Sequence, residues 1–343
     1  MTGHLYTENY SVGELDQVAG EIVILTGVTR SGTTITGKLF STFTSVEYEY
    51  EPWIARSIPI IAQAGLLDQE FGSKLLRKFA NELMVTRLLG RNVNLRPSDS
   101  SYILSVLSQD ELEYRWEQLS ERKDAIQYAK KRRSIFMMKM TNMPSYYEFF
   151  QRSFLNLKLI HVVRNGLDVA LSISKKAGWY TDERLRTSEG FNLSKVVTNK
   201  KTGAEYVVPF HIPPEEAETF SQLTPFARGL HSWCIVMEQH QTEQKRLALN
   251  SKNYFEFKYE DLLKTPDSVV KAVSDFVGTT KSPFTDQILR SLKKEKLSVT
   301  PDYPLQEVPF SLAKRAALLF RQFGYDTQKF DPVLKQGTGI RPQ

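Results

Sequence analysis

The stretch Gly27–Thr34, GVTRSGTT, constrains this chain more than any other. It follows an apolar, β-rich run, EIVILT at 21–26, and leads into ITGKLFSTF, whose spacing is helical. A strand, a tight turn and a helix in that order aim backbone N–H groups and a helix N-terminus at one point, which makes an anion site. Thr33 and Thr34 add hydroxyl donors, and Arg30 adds a fixed charge with a planar fork of donors. A nucleoside-triphosphate loop carries Lys and then Ser or Thr directly after its second glycine. Here Thr33 follows Gly32, and Lys38 lies over a turn into the helix. The loop is therefore either a degraded triphosphate loop or one made for a different anion.

Further β-rich runs occur at 134–139 (SIFMMK), 157–163 (LKLIHVV) and 253–258 (NYFEFK), and SVEYEY at 45–50 alternates as a fifth strand would. Helical patterns fall between them at 33–44, 71–89, 145–154, 166–177, 226–248, 266–277 and 311–323. Strands alternating with helices predict an α/β fold with a mainly parallel sheet. The runs at 21–26 and 157–163 are almost continuously apolar, as strands covered on both faces are. Residues 1–343 read as a single domain. Two polar segments, about 90–133 and 180–225, break the rhythm and read as insertions that shape a substrate cleft.

A second anion site is expected where the 157–163 strand ends. Arg164 comes first, then Asn165 as a helix N-cap with Asp168 in the first turn. Ser172 lies eight residues after Arg164, two turns along and on roughly the same helix face, so the pair can grip one phosphate from two sides. Open α/β sheets bind ligands at the carboxyl ends of their strands. Two anion sites there suit a nucleoside with phosphate at both ends.

At this point the chain resembles the sulfotransferases that use 3′-phosphoadenosine 5′-phosphosulfate (PAPS). TRSGTT is similar to their 5′-phosphosulfate loop and RNGLDVALS to their 3′-phosphate motif. FKYEDLLKTPDSVVKAVSDFVG at 257–278 and FRQFGYD near the C-terminus are similar to later segments, in the same order. The resemblance implies a three-layer, P-loop-like fold, PAPS as co-substrate and no metal. It implies Arg30 at the 5′-phosphosulfate, Ser31, Gly32, Thr33 and Thr34 as the cradle, and Arg164 with Ser172 on the 3′-phosphate. A sulfuryl group then stands where a γ-phosphate would, and the missing loop lysine is expected.

In-line sulfuryl transfer needs a clamp on the donor, charge at the leaving oxygen and a base for the acceptor. Members of this family with a histidine base carry it in a segment similar to MKMTNMP, where this chain has Asn142, which cannot take a proton. Carbohydrate-type and bacterial members use a Glu after the second strand. YEYEPW supplies Glu51 as the candidate base, with Glu49 as its rival on the same strand face. Lys139, ending its strand, is a candidate to hold the transferring group. Ile35 stands where many members stack a Trp on adenine, and KQGTG at 335–339 and LKKEKLS at 292–298 are candidate closing segments. His161 reads as a core residue, while His211 and His231 flank the second insertion within reach of a cleft.

Composition adds limits. The net charge of +6 is mild and calls for no nucleic-acid partner. The single cysteine, Cys234, forms no internal disulfide and reads as a buried helical residue. The N-terminus lacks a signal-peptide pattern and no apolar run reaches membrane-spanning length, so a cytoplasmic protein without membrane association is expected. Asn192-Leu193-Ser194 matches a glycosylation triplet with no secretion signal behind it. The acceptor is a small molecule or a carbohydrate. KKRR at 130–133 favours an anionic polysaccharide, and Trp53, Trp179 and Tyr180 favour a sugar or an aromatic alcohol. The alternatives are a P-loop small-molecule kinase and a non-catalytic nucleotide-binding protein of the same fold.

Overall fold

The structure, a computed structural model, describes residues 16–99, 101–175, 179–187, 194–292 and 301–337. The glycosylation triplet and the candidate closing segment at 292–298 fall largely outside them, and the one at 335–339 falls outside only from residue 338 on.

The chain opens with β1 (Glu21–Gly27) and α1 (Thr33–Phe40), followed by β2 (Val46–Tyr50), α2 (Trp53–Gln63) and α3 (Gln69–Leu88). The first polar segment then holds α4 (Gln109–Gln118) and α5 (Arg122–Arg132), which lead into β3 (Ile135–Lys139). After α6 (Tyr147–Ser153) come β4 (Leu157–Val163), α7 (Gly166–Ser174) and α8 (Asp182–Thr187). The second polar segment holds an antiparallel hairpin of β5 (Ser194–Thr198) and β6 (Glu205–Pro209). Then follow α9 (Ala217–Gln222), the long α10 (Pro225–Arg246), β7 (Tyr254–Lys258), α11 (Tyr259–Lys264), α12 (Pro266–Val277), α13 (Pro283–Leu292), α14 (Phe310–Gln322) and α15 (Asp331–Gly337).

Five strands form one sheet in the order β2-β3-β1-β4-β7, and every neighbouring pair is parallel. The period of two sorts β1 between two cores. Ile22 and Ile24 face α2, α3, α5 and α6, whereas Val23 and Leu25 face α1, α12 and α13. A third core, around the fully buried Trp233, joins α7, α10 and α14. The result is a three-layer α/β fold with the parallel sheet that the strand runs predicted.

Two details differ from the sequence pattern. The helix expected over 33–44 stops at Phe40, because Ser41 and Thr42 hydroxyls bond back to the carbonyls of Lys38 and Leu39. The polar segments, where no element stood out in the sequence, hold helices and a hairpin. Arg115 of α4 reaches the buried carboxylate of Glu47 on β2 at 2.7 Å, and Arg87 of α3 reaches its other oxygen at 3.2 Å. No described helix is long and apolar enough to cross a membrane.

Candidate active site at the carboxyl edge of the sheet

Chain direction fixes where the site lies. From β1 the chain runs to one side of the sheet, toward β2, and from β4 to the other, toward β7. The crevice between β1 and β4 is thus the switch point at which open parallel sheets bind ligands. Gly27 is registered against Val162, so the loop after β1 and the turn after β4 emerge side by side.

The loop is shaped by its neighbours. Gly32 is left-handed at φ 89°, and a Cβ there would come within 2.2 Å of the Tyr259 ring. Only glycine meets both conditions. Arg30 is also left-handed, at φ 74°, a costly conformation for a residue with a side chain. Asn142 braces the loop from below. Its N–H donates to the Gly27 carbonyl, its Oδ1 accepts from Thr29 N at 2.9 Å, and its Nδ2 donates to Thr29 Oγ1 at 3.0 Å. The residue at the expected histidine position therefore holds the loop in place.

The structure brings the two anion motifs together. Arg30 Nε donates to Ser172 Oγ at 2.9 Å, and Arg164 Nη1 donates to the Arg30 carbonyl at 3.0 Å. The Arg164 guanidinium lies over the ring of Tyr259, 5.0 Å from its centroid, so this one aromatic ring supports both motifs. Asn165 caps α7 as its sequence position implies, accepting from Leu167 and Asp168 N–H groups, an arrangement worth about 1 kcal/mol. Trp233 Nε1 donates to the Arg164 carbonyl and packs so closely beneath Gly166 that a Cβ there would sit 2.6 Å from the indole.

Ser31 and Thr33 are buried. Ser31 Oγ has no hydrogen-bond partner, an unusual state for a buried hydroxyl and one that an anion in the loop would relieve. Thr34 is partly exposed, and its Oγ1 lies 3.4 Å from Lys139 Nζ.

Glu51 and Lys139 meet because Tyr50 is registered against Lys139 in the sheet. Lys139 Nζ lies 2.5 Å from Glu51 Oε1, and Glu51 N donates to the Lys139 carbonyl. Glu51 is left-handed at φ 45°, so the strand alternation expected to align it with Glu49 breaks there. Glu49 forms no ion pair with Lys139, and burial raises its carboxyl, with Arg87 opposing. Burial lowers the Lys139 ammonium, with Glu51 opposing. Arg30, Glu51 and Asn142 are three of the six described non-glycine residues at positive φ, so backbone strain concentrates at this edge.

The histidines separate clearly. His161 is buried and shares the Glu256 carboxylate with His240. His231 bonds Glu216 in a cluster with Arg315. His211 does line a cleft beside the loop, but its Nε2 is engaged by Ser232 Oγ at 2.7 Å. Burial, with Lys195 and His231 adding to it, pushes its pKa down to about 3 and leaves it a weak base. That cleft is open to solvent; Thr29, Thr141, Asn142, Trp179 and Phe210 are among its walls. The second polar segment supplies much of the lining, and no described residue of 90–133 does. Arg56, also in the wall, was not anticipated, although it is the one charged residue in the apolar helix WIARSIPIIAQ.

The sulfotransferase domain family model matches residues 21–309. Among solved structures the chain is similar to the sulfotransferase domain of the curacin biosynthetic pathway, at 14% identity and TM-score 0.48 over 89% of this chain and 98% of that one. It is similar to the sulfotransferase domain of the Synechococcus olefin synthase, at 15% identity and TM-score 0.44 over 93% and 99%. It is also similar to a mouse sulfotransferase complexed with PAP, at 12% identity and TM-score 0.38 over 94% and 90%. No curated protein sequence matches. The likeness to the solved structures is distant, and it is the family match, over most of its length, by which this chain belongs to the sulfotransferase family of transfer enzymes.

Proposed function

We propose that this protein moves a sulfuryl group from PAPS to a hydroxyl or amine of a small-molecule or carbohydrate acceptor, with Glu51 as the general base. One observation carries this reading. The Lys139 ammonium contacts both the candidate base, Glu51, and Thr34 of the anion loop, so base and donor cradle share one cation.

PAPS supplies a sulfur activated by its phosphate leaving group. Arg164 and Ser172 take the 3′-phosphate, while Ser31, Gly32, Thr33 and Thr34 cradle the 5′ end. Arg30 stabilises charge on the oxygen that bridges sulfur and phosphate. Glu51 Oε1 is held by Lys139, and Oε2 has no hydrogen bond among the described residues, which leaves it to take the acceptor proton. As that proton leaves, the acceptor oxygen or nitrogen bonds to sulfur and the bridging S–O bond breaks. The products are the sulfated acceptor and adenosine 3′,5′-bisphosphate (PAP). Lys139 lies between the two halves and offsets charge on the transferring group. No step calls for a metal.

Release of PAP from PAPS, measured over a panel of alcohols, phenols and sugars, tests this reading. Glu51→Gln should lower turnover about 10²- to 10⁴-fold, the usual worth of a general base, while PAP still binds. Turnover in Glu51→Gln equal to the parent's would remove Glu51 as the base. Turnover of ATP in place of PAPS would remove the donor.

A further inference from the structure

Arg56 carries an inference about the acceptor, one that rests on reading the edge of the sheet as a sulfuryl-transfer centre. This arginine sits in the first turn of α2, five residues after Glu51, and only 4% of its surface is exposed. Its Nε has no hydrogen-bond partner, and its guanidinium enters no ion pair among the described residues. The neighbouring carboxylate of Glu51 is already held by Lys139 at 2.5 Å. Burial lowers the Arg56 pKa, with Glu51 partly opposing. A guanidinium cannot shed its proton at neutral pH, so it stays charged without a dedicated partner. Buried charges are normally paired, and leaving one unpaired costs several kcal/mol.

Arg56 forms part of the wall of the cleft that adjoins the anion loop at Thr29. Arg184 stands at the same cleft, and no described Asp or Glu lines it. The apolar walls come from Trp179, Tyr180 and Phe210. The cleft therefore offers aromatic walls and a buried cation that wants an oxyanion.

We propose that the acceptor carries a carboxylate or equivalent oxyanion, received by Arg56, which sets its orientation so that its nucleophile faces Glu51. Arg56 is a specificity-determining residue on this account, not a participant in the bond exchange.

The test uses PAP-loaded protein and a matched pair of probes, 4-hydroxyphenylacetate and its neutral amide, titrated by calorimetry. The acid should bind about tenfold or more tightly than the amide, the worth of a hydrogen-bonded charge pair. That preference should vanish in Arg56→Met and survive in part in Arg56→Lys, with PAP affinity unchanged in both. The melting temperature of the unliganded Arg56→Met protein should not fall, because the substitution removes no hydrogen bond and an unpaired charge. Equal binding of acid and amide, including no binding of either, would overturn the inference. So would an unchanged preference in Arg56→Met, and a fall in its melting temperature with that preference intact would make Arg56 structural. Failure of PAP to bind the parent protein would instead overturn the donor site, and this inference with it.

Discussion

Glu47 and Glu51 lie four residues apart, at the start and just past the end of β2, and they are built for opposite ends. Glu47 is buried and faces two arginines, Arg115 at 2.7 Å and Arg87 at 3.2 Å, whose side chains are as buried as its own. Burial would raise its carboxyl, but the two arginines outweigh it and hold it below the usual range. Its backbone is ordinary strand. Glu51 has one cation, one carboxylate oxygen without a hydrogen bond and a strained backbone, and 20% of its side chain is exposed. The first carboxylate is consumed by the fold. The second keeps bonding capacity at the carboxyl edge of the sheet, and strain there is tolerated because the register of Tyr50 against Lys139 and the bond from Glu51 N to the Lys139 carbonyl fix the turn.

That contrast can be broken in several ways. The largest effect is expected from Glu47→Gln, which leaves Arg87 and Arg115 buried without their anion. Chemical denaturation should show a loss of about 3–5 kcal/mol, with PAP affinity of the folded fraction unchanged. A loss under 1 kcal/mol would make Glu47 no more structural than Glu51.

His211 asks whether a group that lines the cleft can nevertheless belong with Glu47. Its pKa is lowered from 6.5 to about 3 by burial, Lys195 and His231. Across that window the unfolded chain binds a proton that the native chain refuses, so native stability falls as pH drops from 6.5 toward 3. Each tenfold change in proton affinity is worth about 1.4 kcal/mol, so a few kcal/mol are at stake. In His211→Gln, melting temperatures followed against pH should decline less steeply toward acid, while the pH dependence of turnover keeps its shape. A changed turnover profile would move His211 to the functional side.

Gly32→Ala forces a Cβ into the Tyr259 ring at a left-handed position. A stability loss of about 1–3 kcal/mol is expected, with weakened PAP binding, because the loop and Arg164 rest on the same ring. Unchanged PAP affinity would show that Tyr259 does not couple the two motifs. The smallest effect belongs to the melting of Glu51→Gln. The Lys139 ammonium left behind is as buried as the two arginines, but unlike them it can shed its proton, and Gln can still accept from it, so about 1 kcal/mol is expected, and a loss as large as that of Glu47→Gln would erase the distinction.

The sheet was legible because its strands announce themselves. EIVIL and LKLIHVV are almost continuously apolar, and SVEYEY alternates, so β1, β4 and β2 emerge close to their true bounds. Helix α2 was hidden by Pro59, which reads as a breaker but is accommodated inside the helix. The polar helices α4 and α5 carry little apolar periodicity: α4 reaches the sheet through Arg115 to Glu47, which no local pattern encodes, and α5 enters the core mainly through the small Ala125 and Ala129. The hairpin β5–β6 turns on Asn199, whose side chain accepts from Lys201 N, and its charged turn masked two short Val-containing strands. At the site, the residue types and order of the anion motifs were readable. The contact between Arg30 and Ser172 was not, because it depends on sheet order bringing residues 142 positions apart together. Asn142 as a brace and Tyr259 as a shared support are likewise properties of packing alone.

The central claim is that one nucleotide with phosphate at both ends is gripped by Arg164 and Ser172 at one end and by the loop after β1 at the other. The most direct measurement is the melting temperature of the parent protein and of Arg164→Ala with PAP, with ADP, and with ATP plus Mg²⁺. PAP at 100 times its dissociation constant should add about 2.7 kcal/mol, a rise of about 4 °C for a chain of this length. ADP, without a 3′-phosphate, should give far less, and Arg164→Ala should lose the PAP response. Stabilisation by ATP and Mg²⁺ alone, with none from PAP, would contradict the account and return the loop to a kinase.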